Sequence, residues 1–300
     1  MGELYSPGKL MLTSEYFAVD GALVLAVPTK LGQEFFFEEK EDGNSIIYWE
    51  AYHQNQLWLQ TKIDYKNWQV LETNIPSNAE FILKTLRNVQ IFSETKLKNT
   101  HTYFFKTNLQ FPSDYGLGSS STLMNNLAEW AEIDPFKLNE VSLGGSGYDI
   151  SVAYSKSAVL FQNKPKIHFE KINYSPVFKD ELIFIHLNQK QDSREGINLY
   201  KSKNKSKILI DEFSDLTRKI LLCNELENFS QLMMLHEQKI SDFIEIPTVK
   251  SIFFADCPVF IKSLGAWGGD FVMSTKFSGY KDYFWGKGFT AIFNWDDLII

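Results

Sequence analysis

The sequence predicts an α+β protein, and three observations carry that expectation. Strand-like and helix-like segments are mixed without the strict alternation that builds a doubly wound parallel sheet. The first third is dense in aromatic and β-branched runs separated by turn residues such as Asp42-Gly43-Asn44. Helical periodicity takes over later, above all between about 208 and 243. With 300 residues, 44% of them hydrophobic, the chain can bury a sizeable core as one large domain or two ordinary ones. A polar, proline-bearing stretch at 173–176 is the best candidate boundary, giving expected domains at 1–174 and 175–300.

Taken in order, strands are expected at 10–13, 22–28, 33–38, 45–52, 56–60 and 68–71. A helix should start at Ser77, because Ser77-Asn78-Ala79-Glu80 has the form of a capping box, with Phe81, Ile82, Leu86 and Val89 on its apolar face. Residues 102–107 read as another strand. The loop 111–121 then enters a helix on which Leu123, Leu127 and Trp130 recur at helical spacing. Asp134-Pro135 looks like an N-cap and first helical position, opening a helix that ends at Gly144-Gly145. Strands follow at 158–162, 166–171 and 181–187. The long helical region places Ile210, Phe213, Leu216, Ile220 and Leu221 at helical period, and strands at 258–264, 270–275 and 290–295 close the chain.

A net charge of −7 argues against broad nucleic-acid or anionic-membrane binding. The two cysteines, Cys223 and Cys257, lack CxxC spacing, which fits a reduced interior and excludes a thiolate metal cluster. Glu3 and Lys9 interrupt any export signal, and the apolar stretch 22–27 is far short of the ~20 residues that span a bilayer. A soluble, cytoplasmic monomer or homodimer acting on a small-molecule substrate is expected. The histidines His53, His101, His168, His186 and His236 are scattered without ligand spacing.

Four segments could carry chemistry. Gly116-Leu117-Gly118-Ser119-Ser120-Ser121 opens a helix, so glycines admit an anion to free N–H groups at the positive end of the helix, and serines add hydroxyls. No lysine follows the glycines, so it is not a P-loop. Ser6-Pro7-Gly8-Lys9, followed by Ser14-Glu15-Tyr16, can aim a fixed cation into a cleft. Gly144-Gly145-Ser146-Gly147-Tyr148-Asp149 leaves open space beside a carboxylate, and Gly265-Ala266-Trp267-Gly268-Gly269-Asp270 makes a tight turn between apolar strands. Singly, each is also explained as a capped turn, a solvated turn or a hairpin.

Together, in this order and at this length, the segments resemble those of the GHMP kinases, from about Pro7 to Asp270. Gly145-Ser146-Gly147-Tyr148-Asp149, Glu15-Tyr16 and Gly268-Gly269-Asp270 are most similar to the phosphomevalonate kinase branch, and the first of these also to a less characterised bacterial set. Ser14 and Trp267 depart from glycine-rich family patterns, and only 31 positions separate Gly118 from Asp149.

The resemblance implies a ribosomal protein S5 domain 2-like N-terminal domain, a ferredoxin-like C-terminal domain and an active site in the cleft between them. It implies transfer of the ATP γ-phosphoryl group, with phosphomevalonate or mevalonate as the foremost acceptor and a sugar or homoserine-like compound as the alternative. Gly116, Leu117, Gly118, Ser119, Ser120 and Ser121 would hold the phosphates, with Ser119 or Ser120 and an acidic residue on Mg²⁺. That acid is Glu140 by preference, then Glu132 or Glu129. Asp149 would accept the acceptor's hydroxyl proton or orient that hydroxyl, with Lys9 as the cation beside it. Glu15, Tyr16, Gly268, Gly269 and Asp270 would shape the substrate end, and Lys190, Ser193 and Arg194 would supply an acceptor-binding loop. Two other classes stay open. A nucleotide-binding protein without turnover loses ground because the lysine, serine loop and aspartate are all present; a diphosphomevalonate decarboxylase-like enzyme loses ground on the GGD ending.

Overall fold

Extended segments dominate the first half because aromatic and β-branched residues there alternate between a buried and an exposed face. The computed structural model describes all residues except Asn99, Lys190, Gln191, Asp192 and Ala266, and describes no side chain for Ser193, Arg194 or Glu195. The described residues fall into two compact units: 1–8, 31–113 and 118–156 in the first, and 9–30, 114–117 and 157–300 in the second. The stretch 173–176 lies inside the second unit.

In chain order, β1 (Gly2–Met11) and β2 (Val24–Glu41) run through both units. The first unit then adds β3 (Ile46–His53), β4 (Gln56–Asp64), β5 (Gln69–Thr73), α1 (Pro76–Phe92) and β6 (His101–Leu109). It ends with α2 (Ser119–Ala131), α3 (Pro135–Ser142) and α4 (Tyr148–Ser155). Its strands are ordered β5-β4-β3-β6-β2, antiparallel except for the parallel β3/β6 pair. Phe35, Trp49, Tyr103 and Phe105 meet Trp130 of α2 in the core, with the Phe105 and Trp130 rings edge to face at 4.8 Å.

The strands expected at 22–28 and 33–38 are one strand, β2. Pro28 does not break it, because Val24–Ala26 pair with Val159–Phe161 within the second unit and Gln33–Glu41 with β6 within the first, leaving Pro28 outside both ladders. The capping box at Ser77 does not form: α1 starts one residue earlier, behind Ile75, with Pro76 at its first position. Asp134 caps α3 as expected, accepting from Phe136 N at 2.8 Å. Helix α4 is not expected from the sequence, because eight residues carry too little apolar periodicity to announce a helix.

The second unit contains β7 (Ala158–Gln162) and β8 (His168–Ile172), which extend the first half of β2. Then come β9 (Leu182–His186), α5 (Ser193–Ser202), α6 (Lys207–Leu221), α7 (Leu226–Ile244), α8 (Val249–Phe253), β10 (Ile261–Leu264), β11 (Phe271–Thr275), α9 (Tyr280–Gly286), β12 (Ile292–Asn294) and α10 (Trp295–Leu298). A four-stranded antiparallel sheet has the order β10-β11-β9-β12. The single helical region expected at 208–243 is two helices, α6 and α7. The hairpin expected around the 265–270 turn is present, with Leu264 opposite Phe271.

Candidate functional site

Within the first unit, the face of α2 next to β1 and β2 is polar and internally paired. Ser6 Oγ donates to Asn126 Oδ1 at 2.7 Å and accepts from Asn125 Nδ2 at 2.9 Å. Asn126 Nδ2 donates to Gln33 O at 3.0 Å, and Thr122 Oγ1 to Gln33 Oε1 at 3.0 Å. These bonds fix the helix, since a buried amide left unpaired costs more than a made bond contributes. The helix starts behind Gly118, whose φ of +87° suits glycine, and no side chain caps it. Ser119 is half-buried and Ser120 exposed. Ser121 is buried, and its hydroxyl turns back to donate to Gly118 O at 2.9 Å.

Asp149 is the second residue of α4, half-buried, behind Gly147 at φ +91°. Its neighbour Ile150 is anchored in the core, which fixes how the first turn of α4 presents the carboxylate. Glu140 is an exposed residue of α3. Glu129 and Glu132 are exposed at the far end of α2 from the serines, about 15–20 Å along a 13-residue helix, and Glu129 pairs with Lys156 at 3.5 Å. Among the described residues, no three His, Cys, Asp or Glu gather in a way that could hold a metal ion.

Within the second unit, buried Lys9 is tied to the approach to the glycine loop. Its N–H donates to Leu117 O at 3.0 Å and its Nζ to Gly116 O at 3.1 Å. Gly116 has φ +67°, and a Cβ there would run into the Asp270 carboxylate, so the position needs glycine twice over. Asp270 is itself buried at φ +53° and donates its N–H to Gln189 O at 2.9 Å. Trp267, the departure from the family's glycine run, is a core residue packed in a cluster with Tyr16, Phe17 and Tyr200, with its Nε1 donating to Pro247 O at 3.2 Å. Gly268 accepts from the Gln189 amide, and Gly269 is buried.

Glu15 is 1% exposed and paired with buried Lys262 of β10, which also lies 3.4 Å from Glu237 of α7. Glu237 accepts from Ser263 N at 3.1 Å and Ser263 Oγ at 2.8 Å. His236 Nε2 accepts from Ser14 N at 2.8 Å, so its proton sits on Nδ1, 3.7 Å from Glu15 Oε2. Burial pushes the Glu15 carboxyl up to about 7 and Glu237 up as well, against the pull of Lys262. Burial, then the Lys262 charge, holds His236 well below its ordinary value. His236, Glu237 and Lys262 were not singled out from sequence; the signal was a polar pair within an apolar helical repeat and a lysine inside an apolar strand. Lys190 lies outside the described residues, as do the side chains of Ser193 and Arg194; the backbone of the last two opens α5.

By sequence, no protein-family model matches the chain and no curated protein is similar to it. By structure it is similar to the phosphomevalonate kinase of Streptococcus pneumoniae in complex with phosphomevalonate and AMPPNP, with TM-score 0.72, 14% identity, and 98% and 100% of the two chains covered. It is similar to the Methanococcus jannaschii mevalonate kinase (TM-score 0.69, 17% identity, 98% and 97% covered). It is also similar to a Lactococcus lactis galactokinase complexed with galactose (TM-score 0.69, 13% identity, 99% and 93% covered). The chain has the α+β fold of the GHMP kinases along nearly its whole length. No helix of the described residues is long and apolar enough to cross a membrane.

Proposed function

We propose that this chain is an ATP-dependent small-molecule kinase, with phosphomevalonate or mevalonate as the foremost acceptor. The observation that supports it most is the start of α2, a helix with no side-chain cap behind a left-handed glycine, combined with the GHMP kinase fold. Its first-turn N–H groups suit the ATP phosphates, and Lys9, held at Gly116 O, adds a cation to the same glycine loop. Mg²⁺ would arrive with the nucleotide and neutralise phosphate charge; Ser119 and Ser120 offer it hydroxyls, which suits an ion that usually keeps waters and phosphate oxygens as ligands. Glu140 is the proposed acidic partner.

Asp149 has a role that depends on the acceptor. For mevalonate, the hydroxyl oxygen bonds to the γ-phosphorus, the bond to the ADP oxygen breaks, and Asp149 takes the hydroxyl proton. A phosphate acceptor is already largely ionised near neutral pH and has little proton to give, so Asp149 would then orient rather than deprotonate. Lys190, Ser193 and Arg194 remain the proposed contacts for an acidic acceptor. The test is ADP release with mevalonate, phosphomevalonate, homoserine and galactose as acceptors. ADP formation with either mevalonate compound supports the reading. Turnover only with galactose or homoserine keeps the kinase and removes the acceptor, and ATP binding without turnover on any acceptor removes the kinase.

A further inference from the structure

Ser14 and Tyr16 hold left-handed backbone, at φ +64° and +56°, although neither is glycine. Residues adopt such conformations only where their surroundings impose them, and such places cluster at working sites. Here the surroundings are buried and specific. Ser14 N donates to His236 Nε2, and Ser14 Oγ donates to Leu23 O at 2.7 Å. Between the two strained residues, Glu15 is clamped on Lys262. What this arrangement delivers is the phenol of Tyr16, whose oxygen accepts the Trp267 N–H at 3.0 Å. The ring packs in the cluster with Phe17, Tyr200 and Trp267, and a Cβ at Gly196 of α5 would collide with it. Three residues beyond Trp267, Asp270 rests against Gly116.

We propose that Tyr16 is a positioning residue for the nucleotide loop: its phenol oxygen fixes Trp267, and through Asp270 that turn sets where Gly116 lies. This rests on the reading of residues 116–121 as the phosphate-binding segment. The Glu15 and His236 contacts serve the same end by holding Tyr16 in a backbone conformation it would not choose alone. On this proposal Tyr16 acts through the turn and not at the substrate end, the place that the family resemblance implies for it.

Tyr16→Phe keeps the packed ring and removes only the oxygen. In nucleotide-free protein, hydrogen exchange should speed up at Trp267 and across 114–117 while other core amides stay protected. Titration with Mg·AMPPNP should show affinity weaker by about 3- to 10-fold, the equivalent of one neutral hydrogen bond, with the KM for acceptor unmoved. Unchanged exchange at Trp267 overturns the proposal whatever the nucleotide reading. Faster exchange with unchanged AMPPNP affinity also overturns it, as does a raised acceptor KM with normal AMPPNP affinity, which would make Tyr16 a direct substrate contact. If wild-type protein binds no AMPPNP, the phosphate-loop reading itself has failed and the proposal with it, and the nucleotide-free exchange data identify that case.

Discussion

Helices α2 and α4 both begin behind a glycine in the left-handed region, Gly118 at φ +87° and Gly147 at φ +91°, and neither has a side-chain cap. They differ in what their first turns carry. The first turn of α2 has three serines and no acid, whereas that of α4 contains Asp149. A helix start presents partial positive charge, so α4 offsets it with its own carboxylate while the first turn of α2 has no acid to do so. Glycine before a helix is therefore insufficient to mark an anion site; the charge of the next few residues decides which way the device works.

Breaking the α4 side of this comparison should have the largest effect. Asp149→Asn is expected to lower kcat about 10²–10⁴-fold on a hydroxyl acceptor, the usual worth of a positioned base, with AMPPNP affinity nearly unchanged. Near-normal turnover would make the α4 start purely structural. Breaking the α2 side comes next: Gly118→Val forces a β-branched residue into a left-handed position. Nucleotide affinity should fall by about 100-fold or more, equivalent to roughly 3 kcal/mol, while circular dichroism shows helices retained. The smallest change sharpens the contrast. Ser120→Asp gives α2 the electrical character of α4, which should weaken AMPPNP about 10-fold and stabilise the free protein by about 0.3–1 kcal/mol. Tighter nucleotide binding in that variant would refute the comparison.

Much of this was legible from local pattern. The glycine–serine loop, the α2 periodicity, the Asp134-Pro135 start and the hairpin at 265–270 are all set within a few residues, where local chemistry acts. Short α4 and the continuity of β2 through Pro28 depend on which partners lie alongside, and a linear reading does not contain partners. The same holds for Ser14 and Trp267. Both depart from the glycine-rich pattern of the family the sequence resembles, yet Ser14 adopts the backbone that glycine favours, with its hydroxyl bonded to Leu23, and Trp267 fills the core beside Tyr16. Lys262, Glu237 and His236 meet Glu15 only through contacts more than 200 residues apart in sequence or through Lys262 itself.

That buried quartet also sets how folding and protons are linked. Burial makes Glu15 and Glu237 hold their protons more tightly in the native protein than in the unfolded chain, so both favour folding at low pH; Glu15 loses that effect as pH rises through about 7, and Glu237 changes in the same direction. His236 does the reverse: the native state keeps it neutral, and its contribution fades as pH falls through the ordinary histidine range. Across mildly acidic pH the two trends oppose each other, so proton uptake by the carboxyls is met by proton exclusion at the imidazole. Glu15→Gln should shift that balance, because it removes one of the two carboxyls that oppose the histidine trend. Urea unfolding measured from about pH 5 to 7.5 should show the variant losing up to about 1.4 kcal/mol more per pH unit on acidification than the wild type does. Parallel profiles would refute the raised Glu15 carboxyl; a variant that sags on the acid side relative to the wild type would show a core whose carboxyls cushion its own response to acidity.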